Sequence, residues 1–244
     1  MQRPQFSFII PTLNEELLLP KLLRQIFGEL NGQFSYEVII SDGGSTDSTI
    51  SAAEQFPVSC VSSLNGKKQT IALGRNMGAE KAHGEYYVFV NADIQFQNVQ
   101  KFLSAIQTTF RNPKIAGATC RVHVFPEEET FTDRFYHVLM NTYFSLLNFI
   151  GEGMGRGECQ IVRADVYEKT GGYNPQIVAG EDYDFFRRVS KHGKIVNLPG
   201  IKLYESPRRF RKLGYAKILR DWAVNGLSVR KSNASRSEEW EPVR

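Results

Sequence analysis

Apolar residues along this 244-residue chain recur in two rhythms. Short continuous runs, Phe6 to Ile10, Tyr36 to Ser41, Val58 to Ser62 and Tyr86 to Val90, predict strands, and the last has the character of one buried on both faces. Between them apolar positions repeat at helical spacing. Leu22, Leu23, Ile26, Phe27 and Leu30 follow Pro20, which suits a first helical position. Further helices are expected over Thr49 to Phe56 and about Ile71 to His83, where Gly78 hints at close packing against a neighbour or ligand. A β-α-β-α-β-α-β series of this kind makes a parallel sheet with right-handed crossovers. Pro11 is expected to stop the first strand.

The second half is less regular. Asn98 to Phe110 reads as a helix and Ile115 to Phe125 as a long strand with a bend at Gly117. Phe131 to Ile150 is an almost wholly apolar helix with one narrow polar stripe, His137, Asn141, Ser145 and Asn148. Such a helix is buried, paired in a dimer or laid on a membrane. Its scarcity of basic residues argues against strong attraction to anionic lipid. Gly151 to Glu158 reads as a loop whose four glycines imply close backbone approach to a ligand, or mobility. A short strand over Cys159 to Val162 and a helix over Ala164 to Thr170 follow. A helix opened by Val178 to Asp182 comes next, then strands over Lys194 to Leu198 and Ile201 to Glu205. A basic turn, Ser206 to Lys212, leads to an amphipathic helix over Gly214 to Lys231 and a polar tail, 232–244.

Three polar clusters fall at the ends of predicted strands: Pro11-Thr12 with Asn14-Glu15, Asp42-Gly43-Gly44, and Asn91-Ala92-Asp93. In a parallel sheet the C-terminal strand ends share one edge, and open α/β sheets bind ligands at that edge. A carboxylate such as Asp93 there holds a cation that holds a phosphate, or else caps the next helix. The Gly-x-Gly-x-x-Gly fingerprint and the Gly-x-x-x-x-Gly-Lys-Ser/Thr loop are both absent, which argues against a dehydrogenase or a phosphate-loop nucleotidase.

Composition narrows the picture only a little. With 41% hydrophobic and 23% charged residues the chain can bury one large core. Its net charge of +4 permits an anionic ligand or a membrane surface without requiring either. The three cysteines, Cys60, Cys120 and Cys159, show no disulfide or metal spacing, so a reducing, cytoplasmic setting is expected. No apolar run is long enough to span a membrane and no signal peptide is read, which leaves peripheral contact with the membrane's cytoplasmic face as an expectation.

Several motifs, in order, resemble the family-2 inverting glycosyltransferases of the GT-A fold. They are Ile10 to Glu16, Ser41 to Asp47, Gly74 to Gly78, Val90 to Asp93, Gly171 to Asn174 and Gly180 to Asp184. The resemblance covers roughly residues 6–210 and implies an α/β fold with a mostly parallel, Rossmann-like sheet. It implies one domain over 1–231, with a nucleotide-sugar half to about 97, an acceptor half over about 98–213 and a C-terminal helix over about 214–231. It implies donor contacts from Pro11, Thr12, Glu15, Asp42, Arg75, Asn91 and Ala92, with Asp42 reading the base. Asp93 would hold a divalent cation, Mn2+ or Mg2+, on the diphosphate. Asn91 replaces the first carboxylate of the family's Asp-x-Asp motif; its amide oxygen can ligate but carries no charge, so a weaker hold on metal is expected. Asp182 would be the general base, with Glu181 beside it orienting acceptor or donor. A first-turn carboxylate is kept ionised by the helix dipole, which suits a base. Arg208 and Arg209 offer cations to the departing diphosphate.

The expected partners are therefore a nucleotide-sugar donor and a saccharide or lipid-linked acceptor, with no nucleic acid and with a homodimer contact open. Two alternatives stand beside this reading. One is a nucleotidyltransferase, which lacks its Gly-rich basic loop here. The other is a non-catalytic, membrane-peripheral protein that binds nucleotide sugars.

Overall fold

The computed structural model describes residues 3–30, 32–62, 69–232 and 234–237. The basic stretch Asn65 to Lys68 and most of the polar tail therefore lie outside the described residues.

Eight strands form one sheet: β1 (Phe6–Thr12), β2 (Tyr36–Asp42), β3 (Ser59–Ser62), β4 (Tyr86–Val90), β5 (Ile94–Phe96), β6 (Ile115–Val124), β7 (Cys159–Arg163) and β8 (Lys194–Glu205). Their order across the sheet is β3-β2-β1-β4-β7-β6-β8-β5. Strands β3, β2, β1 and β4 are parallel, as the crossovers require. β7 runs antiparallel between β4 and β6, β6 and β8 are parallel, and β5 returns antiparallel on β8.

Pro11 does not stop β1. The β1–β4 pairing ends at Ile9, while the β1–β2 pairing continues through Pro11 opposite Ser41 to Thr12 opposite Asp42. The proline therefore sits where one side of the strand has no ladder to supply. The two strands expected at the end are one, because β8 runs through Pro199 and Gly200 without a break. The bend at Gly117 is present as a register shift between β6 and β8. β5 is too short to show a sequence period.

Helices cover both faces: α1 (Leu19–Glu29), α2 (Thr49–Ala53), α3 (Ile71–Glu80), α4 (Val99–Phe110), α5 (Phe131–Phe149), α6 (Ala164–Thr170), α7 (Glu181–Val189), α8 (Arg208–Leu213) and α9 (Tyr215–Ser232). Side-chain caps start several of them. Thr70 accepts from the Leu73 amide, Asn98 from the Lys101 amide, and Thr130 forms a capping box with Asp133. One core packs α1 and α4 against Phe8, Ile10, Val88 and Leu203; a second packs α3, α6 and α7 against Ile9, Phe89 and Val162. Gly78 belongs to this second layer, where a Cβ would meet Ile9 at 2.5 Å, so the close neighbour is β1. A third, smaller cluster joins Tyr136 and Met140 of α5 to Phe210 and Ile218 of α8 and α9. The expected basic turn is thus the helix α8. α2 is shorter than its apolar pattern, ending before Phe56, which packs on the first core from outside the helix. Among the described residues no helix is long and apolar enough to cross a membrane.

Candidate active site

The parallel half brings the three polar clusters to one edge of the sheet. The loops after β1 and β2 are zipped together. Asn14, in the left-handed region at φ 54°, donates its amide to Ser45 Oγ at 2.8 Å and accepts the Thr46 amide at 2.8 Å. Thr49 Oγ1 accepts the buried Glu15 amide at 2.7 Å, and Glu16 accepts the Ser48 amide at 3.0 Å. Asp42 folds back on its own turn, accepting from the Gly44 and Ser45 amides at 3.0 Å and from Ser45 Oγ at 2.6 Å. Its carboxylate is therefore pinned beside Thr12, its register partner. Thr12 Oγ1 is buried and has no hydrogen-bond partner among the described residues. A buried polar atom of this kind needs an explanation, and a polar ligand at the strand end supplies one.

Arg208 ties this edge to the third cluster. Its guanidinium donates to Glu15 at 2.5 Å and to Asp93 at 3.1 Å. Asp93 follows β4, so one arginine from α8 bridges the ends of β1 and β4. No group of three His, Cys, Asp or Glu able to hold a metal exists among the described residues. The single partly exposed Asp93 carboxylate, shared with Arg208, still fits Mg2+ or Mn2+, which take one or two protein carboxylates and draw the remaining ligands from substrate phosphates and water. The Asn91 amide oxygen faces the Arg75 guanidinium at 3.3 Å.

Arg75 is the centre of a second group. It is almost fully buried in α3 and donates to Glu181 at 2.8 Å, to the Gly157 carbonyl at 2.9 Å and to Asn91. It lies 5.1 Å from the centroid of the Tyr173 ring. Burial alone favours the neutral form, yet Tyr173, Glu181 and Asp182 hold the guanidinium charged. The two short motifs Gly74 to Gly78 and Gly171 to Asn174 meet here. Asn76 donates to the Tyr173 carbonyl at 2.8 Å and accepts the Tyr173 amide at 2.9 Å.

Asp182 opens α7 on the same cavity. Its carboxylate accepts the Gly157 amide at 2.9 Å and the Tyr183 amide at 2.8 Å. Burial and the neighbouring Glu181 push its pKa up to about 7, although Arg75 opposes them. The helix dipole therefore does not set the protonation state, contrary to the expectation from position alone; desolvation outweighs it. Glu181 is buried and ion-paired with Arg75 at 2.8 Å.

The structure thus brings Arg75, Asn91, Glu181, Asp182 and Arg209 to one cavity of 820 Å3. It places Pro11, Thr12, Glu15, Asp42, Ala92, Asp93 and Arg208 along the adjoining strand ends, outside that cavity's lining.

Sequence reasoning missed a second charged group in the cavity wall, which continues inward to His137 and Glu205. Arg156 is buried, donates to Glu205 at 2.5 Å and to Glu158 at 3.1 Å, and lies 5.6 Å from the Trp222 ring centroid. His137 of α5 faces the same guanidinium at 3.3 Å, and burial and Arg156 lower its pKa to about 3, so it is neutral. Burial pushes Glu205 up, while Glu158 beside Arg156 is held down. The signal was present as three charges in and beside a glycine-rich loop. Gly157 of the loop lies against Arg75 and Asp182, whereas a Cβ on Gly155 would run into the Phe186 ring of α7. Neither ligand approach nor mobility is needed to explain that position.

Known proteins share this fold. The most similar solved structures include mannosyltransferase PcManGT from Pyrobaculum calidifontis in complex with GDP-Man and Mn2+, at TM-score 0.68 and 20% identity, covering 91% of this chain and 66% of that one. Glucosyl-3-phosphoglycerate synthase from Mycobacterium tuberculosis, in complex with Mn2+, UDP-Glc and phosphoglyceric acid, superposes at TM-score 0.61 with 17% identity, covering 92% and 79%. The fold is accordingly that of the GT-A glycosyltransferases. The model of glycosyl transferase family 2 matches residues 7–171, and the chain belongs to that family. Among curated relatives, a Mycobacterium tuberculosis PGL/p-HBAD biosynthesis glycosyltransferase is 36% identical over 96 residues, which are 38% of this chain and 37% of the relative. The mouse dolichyl-phosphate beta-glucosyltransferase is 28% identical over 148 residues, 54% and 45% respectively. The matched stretch therefore spans less than half the length of either relative.

Proposed function

We propose that this protein transfers a sugar from a nucleotide-sugar donor to an acceptor hydroxyl with inversion at the anomeric carbon. The observation that carries the reading is Asp182. It is a carboxylate at a cavity wall, flanked by Arg75 and Glu181, with a pKa raised to about 7. A general base works best when its pKa lies near the operating pH. In this reading Asp182 takes the proton of the acceptor hydroxyl as that oxygen attacks from the face opposite the leaving diphosphate. Arg75, held by Glu181 and Gly157, sits beside the donor. Thr12, Glu15 and Asp42 line the nucleotide end, Asp42 with its turn amides already fixed. Asp93 would hold a divalent cation, which when bound would neutralise charge on the diphosphate. Arg208 adds a cation at that end and Arg209 one from the cavity side.

The test is Asp182→Asn, assayed for transfer and for donor binding. Transfer is expected to fall by about 10²- to 10⁴-fold, with nucleotide-sugar affinity within about twofold of the parent. A base must be ionised to accept a proton. The wild-type rate should therefore fall about tenfold per pH unit below pH 7 and level off above it. Retained turnover in the variant, or a rate independent of pH between 5 and 8, removes Asp182 from the role. Release of pyrophosphate instead of nucleoside diphosphate would make the protein a nucleotidyltransferase. Unchanged nucleotide affinity in Asp93→Ala with and without manganese, read by calorimetry, would remove the metal assignment.

A further inference from the structure

The 820 Å3 cavity has two unlike ends. Arg75, Asn91, Glu181 and Asp182, with Arg156 and Glu158 from the glycine-rich loop, form the polar end. The rest is walled by α5 and α9 through Leu139, Tyr143, Leu147, Leu219, Trp222 and Leu227. Several of these remain largely in solvent: Leu139 is 53% exposed and Leu227 59%. The apolar wall also continues beyond the cavity onto the outer side of α5, where Phe135, Leu146 and Phe149 stand exposed. Contiguous exposed apolar surface of this kind marks a binding surface.

Charge distinguishes the candidate occupants. Residues 208–232 carry eight arginines and lysines against one acid, Asp221. Lys217, Arg220 and Arg230 are exposed on α9, which forms one wall of the cavity; Lys217 and Arg220 share the single carboxylate of Asp221 and Arg230 faces Glu152 at 3.4 Å, so this rim keeps a net positive charge. An apolar wall rimmed by cations complements an apolar chain that carries an anionic or hydroxyl head. A second copy of this chain would bring the same cations against themselves, and a flat contact would leave the concave part unfilled.

We propose that the acceptor is a lipid. Its apolar chain lies between α5 and α9, and its nucleophilic oxygen, a hydroxyl or a phosphate oxygen, lies at the Asp182 end. The assignment of that oxygen as the reacting atom rests on the glycosyl-transfer reading above; the chain-binding groove does not.

The test uses tryptophan emission. The chain has two tryptophans, Trp222 in the groove wall and Trp240. In Trp240→Phe, Trp222 is the sole reporter. Decyl glucoside and decyl phosphate, each below its micelle concentration, are titrated against glucose and inorganic phosphate. A saturable shift is expected with one or both decyl compounds and none with their polar heads; which compound binds tells a hydroxyl-bearing from a phosphate-bearing lipid. Leu139→Gln with Leu227→Gln, two exposed positions, is expected to weaken that binding about tenfold or more while melting stays unchanged. Equal response to glucose, or undiminished affinity in the double variant, overturns the proposal. So does a wild-type dimer that the double variant converts to monomer in sedimentation, since the face would then be a contact between copies.

Melting shifts with UDP, GDP and manganese, run in parallel, separate the two readings. Nucleotide stabilisation without decyl binding sinks the lipid groove and leaves the transferase. Decyl binding without any nucleotide stabilisation leaves the groove and sinks the transferase.

Discussion

Helices α4 and α5 are both amphipathic, both lean on β6 and β8, and face inward with opposite sides. α4 buries Val99, Phe102, Leu103, Ile106 and Phe110 in a core that includes Leu198, Ile201 and Leu203 of β8. α5 buries Asp133, His137 and Asn141 with Tyr136 and Met140, and leaves Phe131 86% and Phe149 87% exposed. What lies underneath decides the direction. β7 pairs with β6 only over Gly117–Thr119, so beyond that point the strand edge needs another partner. Asn141 supplies it, donating to the Val122 carbonyl at 2.9 Å and accepting the Val122 amide at 3.1 Å. Farther along, Asn197 donates to Ser145 at 2.8 Å and Asn148 accepts the Met154 amide at 2.5 Å. Asp133 takes Arg211 and Tyr215, and His137 takes Arg156. An apolar stripe over those groups would leave each of them unsatisfied, at roughly 1–3 kcal/mol apiece. The inverted helix is thus the low-energy solution, and its price is the exposed apolar face on which the proposed lipid groove is built.

The largest effect that could break this comparison lies in α4. Phe102→Ala removes a fully buried ring and should cost about 3–5 kcal/mol in urea unfolding. A loss under about 1 kcal/mol would mean that the core around β8 relaxes freely, and α4 would no longer serve as the ordinary case.

Asn141→Leu is the matching change on the buried stripe of α5. It raises the hydrophobicity of an already apolar helix, and by composition alone should stabilise. The pairing with Val122 predicts the reverse, a loss of about 2–4 kcal/mol, because two buried backbone groups lose their partner. A neutral or stabilised variant would show that water satisfies the β6 edge.

The same contrast explains what was legible in the sequence. The parallel half was, because each of its elements obeys one rule at a time. Continuous apolar runs are central strands, and polar residues after them mark one edge. Thr12, Asp42 and Asp93 fall at that edge by this rule alone. In the other half two rules conflict. The stripe of His137, Asn141, Ser145 and Asn148 was visible as a period, yet a period states only that two faces differ. Its inward direction depends on Val122, Arg156 and Asn197, whose proximity no local pattern encodes. The Arg156 group was missed for the same reason: Glu205 is 49 residues away and looks like the end of a strand. The protonation of Asp182 was misjudged because position in a helix is local, whereas desolvation and the neighbouring Glu181 are properties of the assembled cavity. Pro11 and the unbroken β8 likewise depended on which strands lie alongside.

The smallest expected effect sharpens the comparison most. Phe135→Ser removes a large apolar side chain from α5, next to buried Tyr136, yet the residue is 64% exposed. Burial predicts a stability change within about 0.5 kcal/mol of the parent, measured on the isolated protein in urea. Sequence composition alone predicts a larger loss, since phenylalanine is the more hydrophobic residue and helix propensity hardly separates the two. A loss above about 2 kcal/mol would mean that this ring is covered in solution, by a second copy or by another part of the chain. The outer face of α5 would then be an ordinary packed surface, α4 and α5 would follow the same rule, and the wall of the lipid groove would have to be redrawn from α9 alone.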